Sequence, residues 1–132
     1  MTASRPVVVI VDDDPGMVRA MARMVELAGY APVVFASAES MLESAPGAID
    51  CVIADVHLPG IDGIELAGRL EDSVPVILVS ASEEAESRVR AMPGPPRVFL
   101  PKPFPAQSLL ETLSRMIGGA DGGEAAVRRR YS

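Results

Sequence analysis

Short β-branched apolar runs alternate with amphipathic stretches along this chain, and that alternation leaves few architectures open. Val7 to Val11 is continuous Val and Ile, the pattern of a strand buried on both faces, and it stops at Asp12. Asp14-Pro15-Gly16 reads as an N-cap with Pro at the first helical position, followed by Val18, Met21, Ala22, Val25 and Ala28 on one face and Gly29 as the stop. Val33 to Ala36 is expected as a second strand; Ser37 then caps a helix whose apolar face is Ala38, Met41, Leu42 and Ala45. Ile49 to Ala54 is the third strand, and the loop His57 to Gly63 leads into a helix through about Glu71 with Ile64, Ala67 and Leu70 inward. Val74 to Val79 is the fourth strand; Ser82 caps a fourth helix, with Glu83 and Glu84 favourable to its dipole, that Pro93-Gly94-Pro95-Pro96 ends early. Val98 to Leu100 is the fifth strand, and a last helix from near Pro105 carries Leu109, Leu113, Met116 and Ile117 inward as far as Gly118-Gly119.

Five strands alternating with five helices predict an α/β fold, an open doubly wound parallel sheet with helices on both faces. An eight-unit barrel needs about 250 residues, and this chain has 132. One domain, 1–118, is expected, with 119–132, including Arg128, Arg129 and Arg130, as a flexible solvated tail. About 15 residues after the last helix leave no room for a helix-turn-helix domain.

No apolar run approaches the roughly 20 residues that span a bilayer, and Met1 to Pro6 lacks the regions of a signal peptide. A cytoplasmic protein is expected. The single cysteine, Cys51, falls inside a central strand and reads as core. A net charge of -6 argues against nonspecific binding to nucleic acid or anionic membrane and favours a cation or a basic partner.

Ligands of open α/β sheets sit beyond the carboxyl ends of the strands. Those ends place Asp12 and Asp13 after the first strand, Asp55 after the third, Ser80 after the fourth and Lys102 after the fifth. Alone, Asp12-Asp13 reads equally well as a solvated turn. Three carboxylates converging on a cleft repel unless a cation or Lys102 neutralises them, and an oxygen-only donor set suits Mg²⁺ or Mn²⁺.

Val11-Asp12-Asp13-Asp14-Pro15, Ala54-Asp55-Val56-His57-Leu58-Pro59-Gly60-Ile61-Asp62-Gly63, Val79-Ser80-Ala81 and Pro101-Lys102-Pro103-Phe104 together resemble the receiver domain of bacterial two-component response regulators. The resemblance runs from about Pro6 to Ile117 and implies the flavodoxin-like strand order 2-1-3-4-5. It implies Asp55 as phosphoacceptor, Asp13 as a direct Mg²⁺ ligand, Asp12 as a ligand through water, and the backbone carbonyl of His57 as the remaining protein ligand. It further implies Lys102 pairing with the phosphoryl group, Ser80 and Phe99 as switch residues, and a cis Lys102-Pro103 peptide. The implied donor is a sensor histidine kinase or phosphotransfer protein, and the implied output is a changed surface of helix four, strand five and helix five. An unidentified partner reads that surface, with the chain a monomer or a phosphorylation-dependent homodimer. A side chain at His57, two after Asp55, stands where the family tunes phosphoryl lifetime; an ordinary exposed loop histidine is the other reading.

Two other functions are set against this. Asp12 and Asp14 have the spacing of the haloacid-dehalogenase signature, but Pro15 stands where Gly is expected, so the chain is not expected to be an enzyme beyond its own phosphorylation and dephosphorylation. A phosphorylation-independent interaction module usually lacks a pocket residue, and all are present here. Pro93 to Pro96 departs from the family's usual helix end, on the presumed output face. A stand-alone regulator and a receiver cut from a longer protein both fit the sequence.

Overall fold

Every strand in this computed structural model, which describes residues 5–95 and 97–118, runs parallel to its neighbours. The elements are β1 (Val7–Val11), α1 (Pro15–Leu27), β2 (Ala31–Phe35), α2 (Ala38–Ser44), β3 (Cys51–Asp55), α3 (Gly63–Arg69), β4 (Val76–Ser80), α4 (Glu83–Arg90), β5 (Val98–Pro101) and α5 (Ala106–Ile117). Their order in the sheet is β2-β1-β3-β4-β5, the flavodoxin-like arrangement. The expected tail and Pro96 lie outside the described residues.

The period of two along each strand divides the core. Val9, Val11, Val52, Ala54 and Leu78 pack on one side against Ala38 and Met41 of α2, Leu66 and Ala67 of α3, and Ala85 and Val89 of α4. Val8, Ile10, Cys51, Ile53 and Ile77 pack on the other against Met21 and Val25 of α1 and Leu109, Leu113 and Ile117 of α5. Both faces of the central strands are therefore dry, which is why they read as unbroken apolar runs. Burying each Val or Ile stabilises the fold by about 1.5–3 kcal/mol before chain entropy is charged against it.

Side-chain caps set the entry of α1, α2, α3 and α4, whereas α5 starts at Pro105 with no side-chain cap bond. Asp14 Oδ1 accepts from Gly16 N at 3.0 Å, Ser37 Oγ from Ser40 N at 3.0 Å, and Ser82 Oγ from Ala85 N at 3.3 Å. Gly29, at φ +100°, ends α1 as expected, but Ala28 is exposed at the C-cap rather than facing inward. Strand boundaries also move. β2 begins at Ala31, ahead of the expected Val33, and includes Pro32, which the sheet tolerates because β2 is an edge strand with one side unpaired. β4 begins at Val76, because Val74 N is turned back to Glu71 O, and α3 ends at Arg69. Leu42, expected inside, is 37% exposed on α2. Among the described residues no helix is long and apolar enough to cross a membrane.

Candidate functional site

Four neighbouring strands deliver their last residues to one end of the sheet. Asp55 and Ser80 are the final residues of β3 and β4, in the ladder rather than past it, and Asp12, Asp13 and Lys102 follow β1 and β5 directly. Carboxylate oxygens of Asp12, Asp13 and Asp55 all lie within 4.8 Å of one another. Asp12 and Asp55 are buried and Asp13 is exposed, so the cluster is a cleft with one wet wall. Lys102 Nζ reaches Asp55 Oδ2 at 3.1 Å and Asp12 Oδ2 at 3.5 Å, with its side chain 19% exposed.

The remaining oxygens are held by backbone. Asp55 Oδ1 accepts from His57 N at 3.0 Å, and Asp12 Oδ1 from Asp14 N at 2.9 Å. Each of these two carboxylates thus has one oxygen fixed by an amide and the other facing the ammonium. Lys102 N donates to Ser80 O at 2.9 Å, which ties the lysine to the end of β4, and the Lys102-Pro103 peptide is cis. Ser80 is buried and its hydroxyl accepts from Ser82 N at 3.0 Å, at the residue that caps α4. Phe99 is half-buried against the α2 to α4 side of the core, and the His57 side chain is exposed.

Burial pushes the Asp12 carboxyl above the ordinary aspartate value; the Asp14 amide and the Lys102 ammonium offset only part of that rise, and Asp55 adds to it. Burial pulls the Lys102 ammonium down, but the hydrogen bond and charge of Asp55, with those of Asp12, reverse this and leave it above the ordinary lysine value. The Asp12 shift reports burial first, whereas the Lys102 shift reports the two carboxylates beside it.

Three residues around the cleft were not singled out by sequence. Gly63 lies so close to the end of β3 that a Cβ there would stand 2.9 Å from the Asp55 carbonyl carbon, and its N donates to Val56 O at 3.0 Å. Asp62 caps α3 through Glu65 N at 2.8 Å and also accepts from Arg88 Nη2 of α4 at 2.9 Å. Glu39 of α2 accepts from Ile61 N at 2.9 Å across 22 positions of sequence. Asp62, as an Asp three before Glu65, carried a readable capping signal; Glu39 carried none, because its partner is a distant backbone amide.

Residues 8–114 match the family model of the response regulator receiver domain. The chain is a response-regulator receiver domain. This receiver is 36% identical over 116 residues to nodulation protein W of Bradyrhizobium diazoefficiens, covering 84% of this chain and 51% of that protein. Transcriptional regulatory protein FixJ of the same organism is 30% identical over 116 residues, covering 85% and 57%. Of solved structures, full-length FixJ from B. japonicum superposes with a TM-score of 0.74 at 28% identity over 87% of this chain and 59% of that one. Chemotaxis response regulator CheY4 of Vibrio cholerae superposes at 0.73 with 24% identity over 86% and 99%, a likeness of fold. The receiver spans from about a quarter to somewhat over half the length of the curated relatives it matches.

Proposed function

We propose that Asp55 accepts a phosphoryl group from a sensor histidine kinase or phosphotransfer protein, with Mg²⁺, or Mn²⁺ in its place, held by Asp12, Asp13, Asp55 and the backbone carbonyl of His57. The observation that carries this is the single cleft in which three carboxylates lie within 4.8 Å and Lys102 Nζ stands 3.1 Å from Asp55 Oδ2. The donor set fits the ion: it is all oxygen, partly buried and open to water on the Asp13 side. When bound, the cation supplies charge neutralisation for in-line transfer between two anionic groups.

The chain's own residues do the rest. The His57 amide orients the Asp55 carboxylate, and Lys102 faces the oxygens on which charge accumulates as the phosphorus–nitrogen bond of the donor breaks and the bond to Asp55 forms. The Ser80 hydroxyl turns toward the new phosphoryl oxygens and releases Ser82 N, so the N-terminus of α4 senses the event. Phe99 turns inward into the vacated space, and the α4-β5-α5 face changes for a partner to read. Transfer to water of the same group resets the switch, which is the only turnover expected. The relatives named as transcriptional regulators extend well beyond this chain's length, so its output is assigned to a further module or a separate protein, read in the cytoplasm.

The test is intact mass after incubation with Mg²⁺ and acetyl phosphate. Wild type gains one phosphoryl mass, and chelator or Asp55→Asn abolishes the gain. No gain, with beryllofluoride also leaving the protein unperturbed, makes a phosphorylation-independent interaction module the better account.

A further inference from the structure

The loop from His57 to Gly63 joins Asp55 to α3 and carries the His57 carbonyl. Its ends are fixed by His57 N to Asp55 Oδ1 at 3.0 Å and by Gly63 N to Val56 O at 3.0 Å. Its middle is fixed from another element. Glu39, in the first turn of α2, sends its carboxylate across to accept from Ile61 N at 2.9 Å. The loop is shaped to receive it: Gly60 has φ +75°, and a Cβ built there would overlap the Glu39 carboxylate, with Cδ at 3.2 Å. Only glycine lets the backbone make this bend and the carboxylate lie against it. The bond also holds the Glu39 carboxyl below its ordinary value, as expected for a carboxylate accepting from an amide.

We infer that Glu39 is a positioning residue for the cation site, holding the middle of the β3-to-α3 loop so that the His57 carbonyl is presented to the cleft. The inference rests on the reading of Asp55 and its neighbours as a Mg²⁺-dependent phosphoryl site. It makes α2, which supplies no group to the cleft, part of the machinery. Groups that orient a ligand from behind typically change metal affinity by about 10- to 100-fold when removed. Glu39 acts one step further back, through the loop, so about 5-fold is expected. The competing role is that of an acidic residue at a helix N-terminus, which stabilises α2 and leaves the affinity of the folded protein for metal untouched.

Isothermal titration of the folded protein with Mg²⁺ separates the two, with the thermal midpoint of each variant measured alongside. Glu39→Ala is expected to weaken Mg²⁺ about 5-fold, while Glu39→Gln, whose amide oxygen still accepts from Ile61 N, stays within about 2-fold. Gly60→Ala expels the same carboxylate and also strains the loop at φ +75°, so it is expected to weaken Mg²⁺ at least as much as Glu39→Ala. The two changes together are expected to weaken Mg²⁺ no more than the worse of them alone. Should Glu39→Ala fail to fold, Glu39→Gln and Gly60→Ala still read the affinity. A wild type that binds Mg²⁺ while Glu39→Ala or Gly60→Ala binds it equally well overturns the inference and leaves the phosphoryl site standing. A wild type that neither binds Mg²⁺ nor gains mass from acetyl phosphate overturns both.

Discussion

Two glycines of α3 should respond to the same substitution with opposite sign. A methyl group at Gly63 would stand 2.9 Å from the Asp55 carbonyl carbon and 3.0 Å from Val56 Cα, and nearer still to the carbonyl oxygen. Those atoms belong to the end of a central strand, paired to β4 and hydrogen-bonded through Val56 N to Val79 O at 2.9 Å, so they cannot swing aside as a side-chain tip would. Overpacking a close contact typically costs about 1–3 kcal/mol, and rigid backbone on one side puts this case near the top of that range. Alanine in place of glycine within a helix returns at most about 1 kcal/mol. The clash wins, and Gly63→Ala is expected to lose about 2 kcal/mol, a fall of about 6–10 °C for a domain of this size. Gly68 has nothing within 4 Å of its would-be Cβ, so Gly68→Ala keeps the propensity gain and rises by about 3–5 °C. Because the strain falls on Asp55, Gly63→Ala should also accept phosphoryl groups more slowly, whereas Gly68→Ala should not. Far-UV circular dichroism during heating, with phosphorylation by acetyl phosphate, measures both. Equal midpoints for Gly63→Ala and wild type, or a loss at Gly68, would refute the packing argument.

Asp62→Ala removes both the α3 cap and the acceptor for Arg88, and should lose about 1–2 kcal/mol at pH 7, mostly from the cap, since the pair is partly exposed. Burial raises the Asp62 carboxyl, but the Glu65 amide and Arg88 outweigh it and hold the carboxyl below its ordinary value. Its contribution is therefore full above the ordinary aspartate value near 4 and lost as pH falls through the lower folded value, so urea midpoints of variant and wild type should converge as pH falls further below that value. Mg²⁺ at about 100 times its dissociation constant should stabilise wild type by about 2.7 kcal/mol, a rise of roughly 10 °C in a thermal scan, and Asp13→Asn should lose most of that rise. Asp50, buried before β3, accepts from Val7 N at 2.7 Å; Asp50→Ala should lose about 1–3 kcal/mol by chemical denaturation with phosphorylation by acetyl phosphate intact.

What could be read in advance was whatever depends on local pattern. Unbroken runs such as Val7 to Val11 announced strands buried on both faces, Asp14-Pro15 and Ser82 announced helix starts, and the strand ends announced where Asp12, Asp13, Asp55 and Lys102 would meet. Boundaries slipped where tertiary position decides. Pro32 looks like a breaker until β2 proves to be an edge, and Leu42 looks like core until α2 turns it outward. The supports of the cleft were illegible for a different reason. Glu39 and Gly63, like Asp50 at the opposite end of the sheet, act on backbone groups of other segments, and a backbone amide or carbonyl has no letter in the sequence.

The charges of the cleft explain why its residues work as a set. Three carboxylates face one ammonium, leaving two negative charges unbalanced in a region where burial already lifts the Asp12 carboxyl. The arginine pairs lie elsewhere, Arg69 with Glu65, Arg88 with Asp62 and Arg90 with Glu86, so they do not relieve it. On the proposed function a divalent cation would match that deficit, and transfer to Asp55 would reopen it by about one charge, because a carboxylate of one negative charge becomes an acyl phosphate of about two. On that reading the receiver would be short of positive charge twice, first at rest and again after transfer. By the same reading Lys102 would turn its ammonium from Asp55 Oδ2 to the phosphoryl oxygens without leaving the end of β4, because its own amide is bonded to Ser80 O. Ser80, the residue proposed to turn, is attached through its carbonyl to the lysine and through its hydroxyl to the cap of α4. A change of charge at Asp55 would then reach the start of α4 through two short bonds on one residue.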